Sequence, residues 1–189
     1  MTSYYSPEEL AALGLASYGE DVRVSRYAHL YGAETIRLGN HVRIDDFCIL
    51  SGRITIGNYF HLAAGSLLYG GEAGITFDDY TTASSRCAIY ALSDDYTGAF
   101  MTNPTVPEDF TNVRQAPVHI GRHVVLGTGT TVLPGVDIAE GCAAGAMTLF
   151  THSTEPWGIY YGIPARRQKE RRQDLLEQCR LLEERLRRP

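Results

Sequence analysis

Apolar residues recur every six positions along most of this chain. They run Leu38, Ile44, Leu50, Ile56, Leu62 and Leu68, resume after a three-residue insertion at Phe77, Ala83 and Ile89, and return after a long excursion as Ile120, Leu126, Val132, Ile138, Ala144 and Phe150. Two residues before each anchor the side chain is again apolar or small: Ile36, Val42, Cys48, Ile54, Phe60, Ser66, Ile75, Thr81, Cys87, Val118, Val124, Thr130, Val136, Cys142 and Thr148. That alternation is the signature of short strands with one face inward. Gly39, Gly57, Gly121, Gly127 and Gly145 follow their anchors, where a corner asks for backbone that a Cβ disfavours. Each hexapeptide thus reads as one strand plus one turn. Three make a triangular coil, and stacked coils bury a column of anchors that no single repeat could form. A six-residue period fits no ordinary α-helix, so an all-β parallel β-helix is expected.

The flanks read differently. Ser6-Pro7-Glu8-Glu9 carries a hydroxyl N-cap, Pro at the first helical position and Glu three after the cap, with Gly14 as a stop, so a short helix should cover the first coil. Beyond Pro164 the chain turns Arg/Glu/Leu-rich, with Leu175, Cys179, Leu182 and Leu186 on one helical face. This predicts a helical tail whose stripe packs on the β-helix or on a neighbouring subunit. The expected organisation is a helical cap over 1–18, a β-helix over 19–155 with a loop at 92–117, and a C-terminal segment and helix over 156–189.

Composition narrows the partners. A net charge of −5 argues against nucleic acid or an anionic membrane surface. No apolar run is long enough to span a bilayer, and MTSYYSPEEL lacks a signal-like basic and apolar succession, which places the protein in the cytoplasm. Cys48, Cys87, Cys142 and Cys179 are scattered without a CxxC pair and read as buried free thiols.

The repeats, the loop after Ile89, the segment Val132-Leu133-Pro134-Gly135-Val136 and the ending Gly162-Ile163-Pro164-Ala165-Arg166 together resemble the hexapeptide-repeat acyltransferases over roughly residues 20 to 170. Within them, IDDFCILSG (44–52), SSR (84–86), SDDYTG (93–98) and MTNPTVP (101–107) look like the sugar acetyltransferases of surface-polysaccharide biosynthesis, the galactoside O-acetyltransferase type included. The resemblance implies a left-handed β-helix and acetyl-CoA as co-substrate, with no metal. It also implies a homotrimer whose active sites lie between adjacent subunits, taking a sugar or nucleotide-sugar.

Acetyl transfer needs a base, a held acyl carrier and donors for the developing oxyanion. His61, immediately before an anchor, should project outward; an arbitrary histidine there would make one structural hydrogen bond, but the family uses a histidine as base. His119 has the same phase. Where maltose- and galactoside-type members place a His-Pro pair, this chain has Ser93-Asp94-Asp95, so Asp94 or Asp95 is assigned as partner of His61 or as a sugar ligand, against the ordinary role of capping its own turn. Tyr69, Ser84, Arg86, Tyr90 and Asn103 are candidate substrate contacts. Gly127, Thr128, Gly145 and Ala146 would admit the pantetheine arm, and Arg166, Arg167 and Lys169 would meet the CoA phosphates.

The leading expectation is O-acetylation of a carbohydrate hydroxyl, with N-acetylation of a nucleotide-linked amino sugar as its rival. An amine attacks with less help than a hydroxyl, so the need for His61 separates the two. A zinc enzyme of the carbonic anhydrase kind lacks a clear third histidine here, and a non-catalytic scaffold would not need the long loop or the basic end.

Overall fold

A computed structural model describes residues 3–187. The strands stack in parallel into three faces. The first face runs through Arg23–Val24, Val42–Ile44, Phe60–Leu62, Thr82–Ala83, Val125–Leu126, Ala143–Ala144 and Gly158–Tyr161, each pairing in parallel with the next. The second and third faces alternate along His29–Tyr31, Ile36–Leu38, Ile49–Ile56, Leu67–Phe77, Ala88–Tyr90, Val118–Ile120, Thr131–Val132, Asp137–Ile138 and Leu149–Phe150. Every anchor and every residue two before it is buried, so the six-residue reading of the core holds along its whole length. Cys48, Cys87 and Cys142 are among them as free thiols, whereas Cys179 is only half-buried.

The three-residue insertion sits where the second face turns into the third. Ile49–Ile56 makes that turn in 8 residues and Leu67–Phe77 in 11, so Gly52 pairs with Gly71 and the register recovers at Ile54 and Ile75. Glycine is required here, because a Cβ on Gly71 would lie 2.7 Å from Gln115 Oε1 and its φ is +52°.

Helix α1 (Pro7–Ala11) closes the first coil as expected. Ser6 and Glu9 form a reciprocal capping box, and Leu10 is buried within the core cluster. At the other end the tail departs from expectation. Arg166–Glu170 is a strand, antiparallel to Gly158–Tyr161, and only Leu175–Leu186 forms helix α2. Ladder hydrogen bonds from the last coil decide this, overriding the helical preference of the Arg/Gln/Lys/Glu sequence.

Helix α2 docks where the third face turns into the first. Arg122 bonds Glu183 at 2.6 Å, its guanidinium lies 5.0 Å over the Tyr80 ring, and the Tyr80 hydroxyl reaches the Cys179 thiol. Burial pushes the Tyr80 phenol up to about 12. Of the stripe, Leu175 and Cys179 are half-buried while Leu182 and Leu186 stay exposed.

That corner carries an aromatic ladder. His41, Tyr59, Tyr80, His123 and Trp157 occupy left-handed backbone at this corner, with consecutive ring centroids separated by 4.5, 5.0, 5.4 and 6.4 Å. Gly141 stands between His123 and Trp157 in the stack, and a Cβ there would be driven into the Trp157 ring. Arg171 ties the segment before α2 to this corner by donating to the carbonyls of His123, Gly141 and Cys142 at 2.7, 3.0 and 3.3 Å.

Candidate active site

The long excursion leaves the coil after Tyr90 and returns at Val118. Its base is a two-stranded clip, Leu92–Ser93 antiparallel to Arg114–Gln115. Gln115 staples the clip to the three-residue insertion, its Oε1 accepting from the backbone of Glu72 and Ala73 at 2.8 and 3.3 Å. The loop then overhangs the later coils and encloses a cavity of about 420 Å³. Ser93, Asp94, Asp95, Tyr96, Asn112 and Arg114 line it from the loop, and Leu133, Pro134 and Thr151 from the coils below. A smaller recess of about 120 Å³ shares Thr151 and continues towards His152, Tyr160 and Arg166.

The two aspartates at the mouth are not equivalent. Asp95 accepts from the Thr97 backbone at 2.5 Å and from the Asn112 side chain, and these bonds, led by Thr97, hold its carboxyl below the usual range. It caps its own turn, the ordinary role of Asp in such a loop. Asp94 is exposed, and among the described residues its carboxylate has no hydrogen-bond or ion-pair partner. The cavity therefore presents one uncommitted carboxylate.

His61 lies elsewhere. It is the outward residue of Phe60–Leu62 on the first face, and its Nε2 meets Asp45 Oδ2 at 2.9 Å. Asp45 also accepts from Arg43 at 2.7 Å and Tyr4 at 3.1 Å. Burial alone would raise the Asp45 carboxyl, but the bonds from His61, Arg43 and Tyr4 outweigh it and hold the group below the ordinary carboxylate range. The expected pairing of His61 with Asp94 or Asp95 is thus replaced, within one chain, by His61 with Asp45. The stacking explains it: Arg43 is directly below His61 in the ladder, and Asp45 follows two residues on. His119, which shares the phase, is held between Asp78 and Asp137 at 3.0 and 3.1 Å.

The candidate substrate contacts are scattered. Tyr69 and Tyr90 stack with centroids 5.4 Å apart at the end of the second face, beside the base of the loop. Ser84 enters the corner between the first and second faces, where its carbonyl accepts from the Ser66 hydroxyl at 3.1 Å. Arg86 follows in left-handed backbone, its side chain exposed and lying over Gly65. Asn103 folds back on its own turn, accepting from the Thr105 backbone and hydroxyl at 3.0 and 2.6 Å.

Of the cofactor candidates, Gly127 and Gly145 serve the packing of the coils. A Cβ on Gly127 would lie 2.7 Å from the Ala144 carbonyl of the next coil, and one on Gly145 would meet the Tyr161 ring. Their smallness lets coils and a tyrosine close up, and their exposed neighbours Thr128 and Ala146 are left to face outward. Of the basic set, Arg167 is engaged by Glu170 at 2.7 Å, whereas Arg166 borders the smaller recess and Lys169 is exposed on the terminal strand.

No protein-family model matches the chain. It is, however, 41% identical over 178 residues to the dTDP-4-amino-4,6-dideoxy-D-glucose acyltransferase of Escherichia coli, covering 93% of this chain and 92% of that protein. Among solved structures, AntD, an N-acyltransferase from Bacillus cereus in complex with dTDP and 3-hydroxybutyryl-CoA, superposes with a TM-score of 0.96 at 42% identity, covering 98% and 99% of the two chains. The chain belongs to the hexapeptide-repeat acyltransferases. Its left-handed β-helix is also that of a maltose O-acetyltransferase from Clostridium difficile, with a TM-score of 0.58 at 17% identity over 88% of this chain and 74% of the other.

As a hexapeptide-repeat acyltransferase, the chain is an enzyme that acylates sugars, and its sequence hid one residue of the cavity. Arg114 carries no motif and enters the cavity only because the loop clips back on itself opposite Ser93. Asp45, two residues past the position stacked below His61, was recoverable from the coil period as the partner of that histidine.

Proposed function

We propose that this chain transfers an acyl group from acetyl-CoA to the amine of a nucleotide-linked amino sugar. This reverses the order of the two acceptors expected from the sequence. The observation that carries it is the near full-length likeness, above 40% identity, to enzymes named for a dTDP-amino sugar and for N-acylation. The site agrees in kind: an amine needs only an acceptor for its proton, and the described lining of the cavity offers Asp94 and no histidine. Solved forms of AntD include S84A and D94N substitutions, and this chain has Ser84 and Asp94 at those numbers.

In the reaction, the substrate ammonium gives a proton to the Asp94 carboxylate, the nitrogen lone pair attacks the thioester carbonyl, and the carbon–sulfur bond breaks as the amide forms. The departing thiolate takes up the second proton that the nitrogen releases as the amide forms, and leaves as CoA. Tyr69 and Tyr90 offer ring faces for the nucleotide or sugar, and the recess leading to Arg166 is the route for the cofactor. His61, held by Asp45 on another face, serves this site across a subunit boundary or not at all. The exposed apolar corner bearing Tyr27, Phe47, Met147 and Ile163 supports assembly, which we assign as a homotrimer. Buried free thiols and a nucleotide-linked substrate suit the cytoplasm. A surface-polysaccharide pathway agrees with 28% identity to WbbJ of Escherichia coli strain K12, a protein assigned by name to lipopolysaccharide biosynthesis, over 70% of this chain and 67% of that protein.

The test is thiol release from acetyl-CoA with free and nucleotide-linked sugars and amino sugars. Release is expected with nucleotide-linked amino sugars, falling about 100-fold in Asp94→Asn and surviving largely in His61→Ala. Release with hydroxyl acceptors alone, abolished in His61→Ala, would restore the O-acetyl reading.

A further inference from the structure

The cavity under the loop holds both signs of charge. Asp94 stands at its mouth, and Arg114, paired across the clip with Ser93, lines the same space. It is the single cationic side chain among the described lining residues, and no carboxylate of the described residues lies within ion-pair distance of it. The neighbouring acid that would compete for it, Asp95, is already engaged by Thr97 and Asn112. The other arginine close by, Arg166, lines the smaller recess rather than this cavity. A guanidinium fits a phosphate oxygen pair in a bidentate manner and stays charged at any working pH.

We propose that Arg114 anchors the diphosphate of the acceptor and so makes the enzyme prefer nucleotide-linked over free amino sugars. The inference rests on the amino-sugar reading above. An amino sugar on a nucleoside diphosphate carries a cation at the sugar and anions at the linkage, and the cavity offers a carboxylate and a guanidinium to match. The clip fixes the backbone of Arg114 through its ladder to Leu92–Ser93 and through the Gln115 staple, so the side chain springs from a set point beside the cavity before the substrate arrives. CoA also carries phosphates, so the two sources must be separated by the experiment.

Calorimetric titration of the full chain with dTDP, thymidine and CoA does so in wild type, Arg114→Ala and Arg114→Lys. Loss of a charge-assisted pair should weaken dTDP binding about 10- to 100-fold in Arg114→Ala, with partial recovery in Arg114→Lys and with thymidine and CoA changed less than about twofold. Equal weakening of dTDP and thymidine would assign the effect to loop damage and overturn the proposal. Weakened CoA binding with dTDP untouched would hand Arg114 to the cofactor and overturn it as well. A wild-type protein that binds CoA but not dTDP would sink the substrate class itself, and this inference with it.

Discussion

Two corners of the β-helix are built from the same backbone and finished in opposite ways. Where the third face turns into the first, His41, Tyr59, Tyr80, His123 and Trp157 stack ring on ring under helix α2. Where the first face turns into the second, Phe47, Gly65, Arg86, Gly129 and Met147 take nearly the same left-handed angles, yet Phe47 is 67% and Met147 63% exposed. The repeat sets the backbone of a corner; side chains at one position per coil decide whether it is a closed seam or an open surface. An apolar ridge without a cover is a surface for another molecule.

The sharpest way to break the contrast is to add one methyl group at each corner. Gly141→Ala and Gly65→Ala both incur the left-handed penalty of about 1–2 kcal/mol, their φ values being +71° and +73°. Only at Gly141 does the new Cβ strike a ring, while at Gly65 it meets Arg86 Cγ at 3.4 Å. Thermal melts should show Gly141→Ala clearly lower, and equal losses would mean the ladder contributes nothing.

Next in size is Arg171→Ala, which strips three carbonyls of a charged donor at the closed corner. Urea unfolding should register about 2 kcal/mol, and the Tyr80–Cys179–Arg122 contacts of α2 should loosen in hydrogen exchange. An unchanged exchange pattern would show that α2 holds on without this tie.

A smaller, pH-dependent effect comes from His123, whose buried Nε2 has no partner among the described residues. Burial, reinforced by Arg122, lowers its folded pKa. The unfolded chain then binds the proton more readily, so stability is full above the ordinary histidine value and is lost as pH falls below it. Melting temperatures should decline from pH 7.5 to 5.5, and His123→Phe, which keeps a ring in the stack, should flatten that decline.

The smallest expected effect within one chain is Phe47→Ala, under about 0.5 kcal/mol for an exposed side chain. If the open corner joins subunits, the same change shifts the oligomer seen by light scattering. A wild-type monomer would remove the reason for the exposed ridge.

The core was legible because period and burial are local: each inward position repeats at a fixed spacing and the stack buries all of them. The capping box was legible for the same reason. The strand Arg166–Glu170 was not, because its state depends on a partner edge that only the finished stack supplies. The roles of Asp94 and Asp95 were inseparable in sequence, since the difference lies in which of them Thr97 and Asn112 turn towards. What closes on Gly127 and Gly145, the Ala144 carbonyl and the Tyr161 ring, was not legible either, because a glycine signals close approach without naming what approaches.

The terminal strand also settles a hazard of the architecture. A stack of parallel strands ends in a row of unsatisfied backbone groups, onto which another molecule's strand could add without limit. Arg166–Glu170 covers the Gly158–Tyr161 edge with a reversed strand whose residues are all exposed and four of five charged. Charge on an outermost strand discourages further pairing, so the segment acts as a stopper against fibre growth. Gln168→Val with Glu170→Val, which leaves the basic residues of the strand in place, should cost solubility at high concentration.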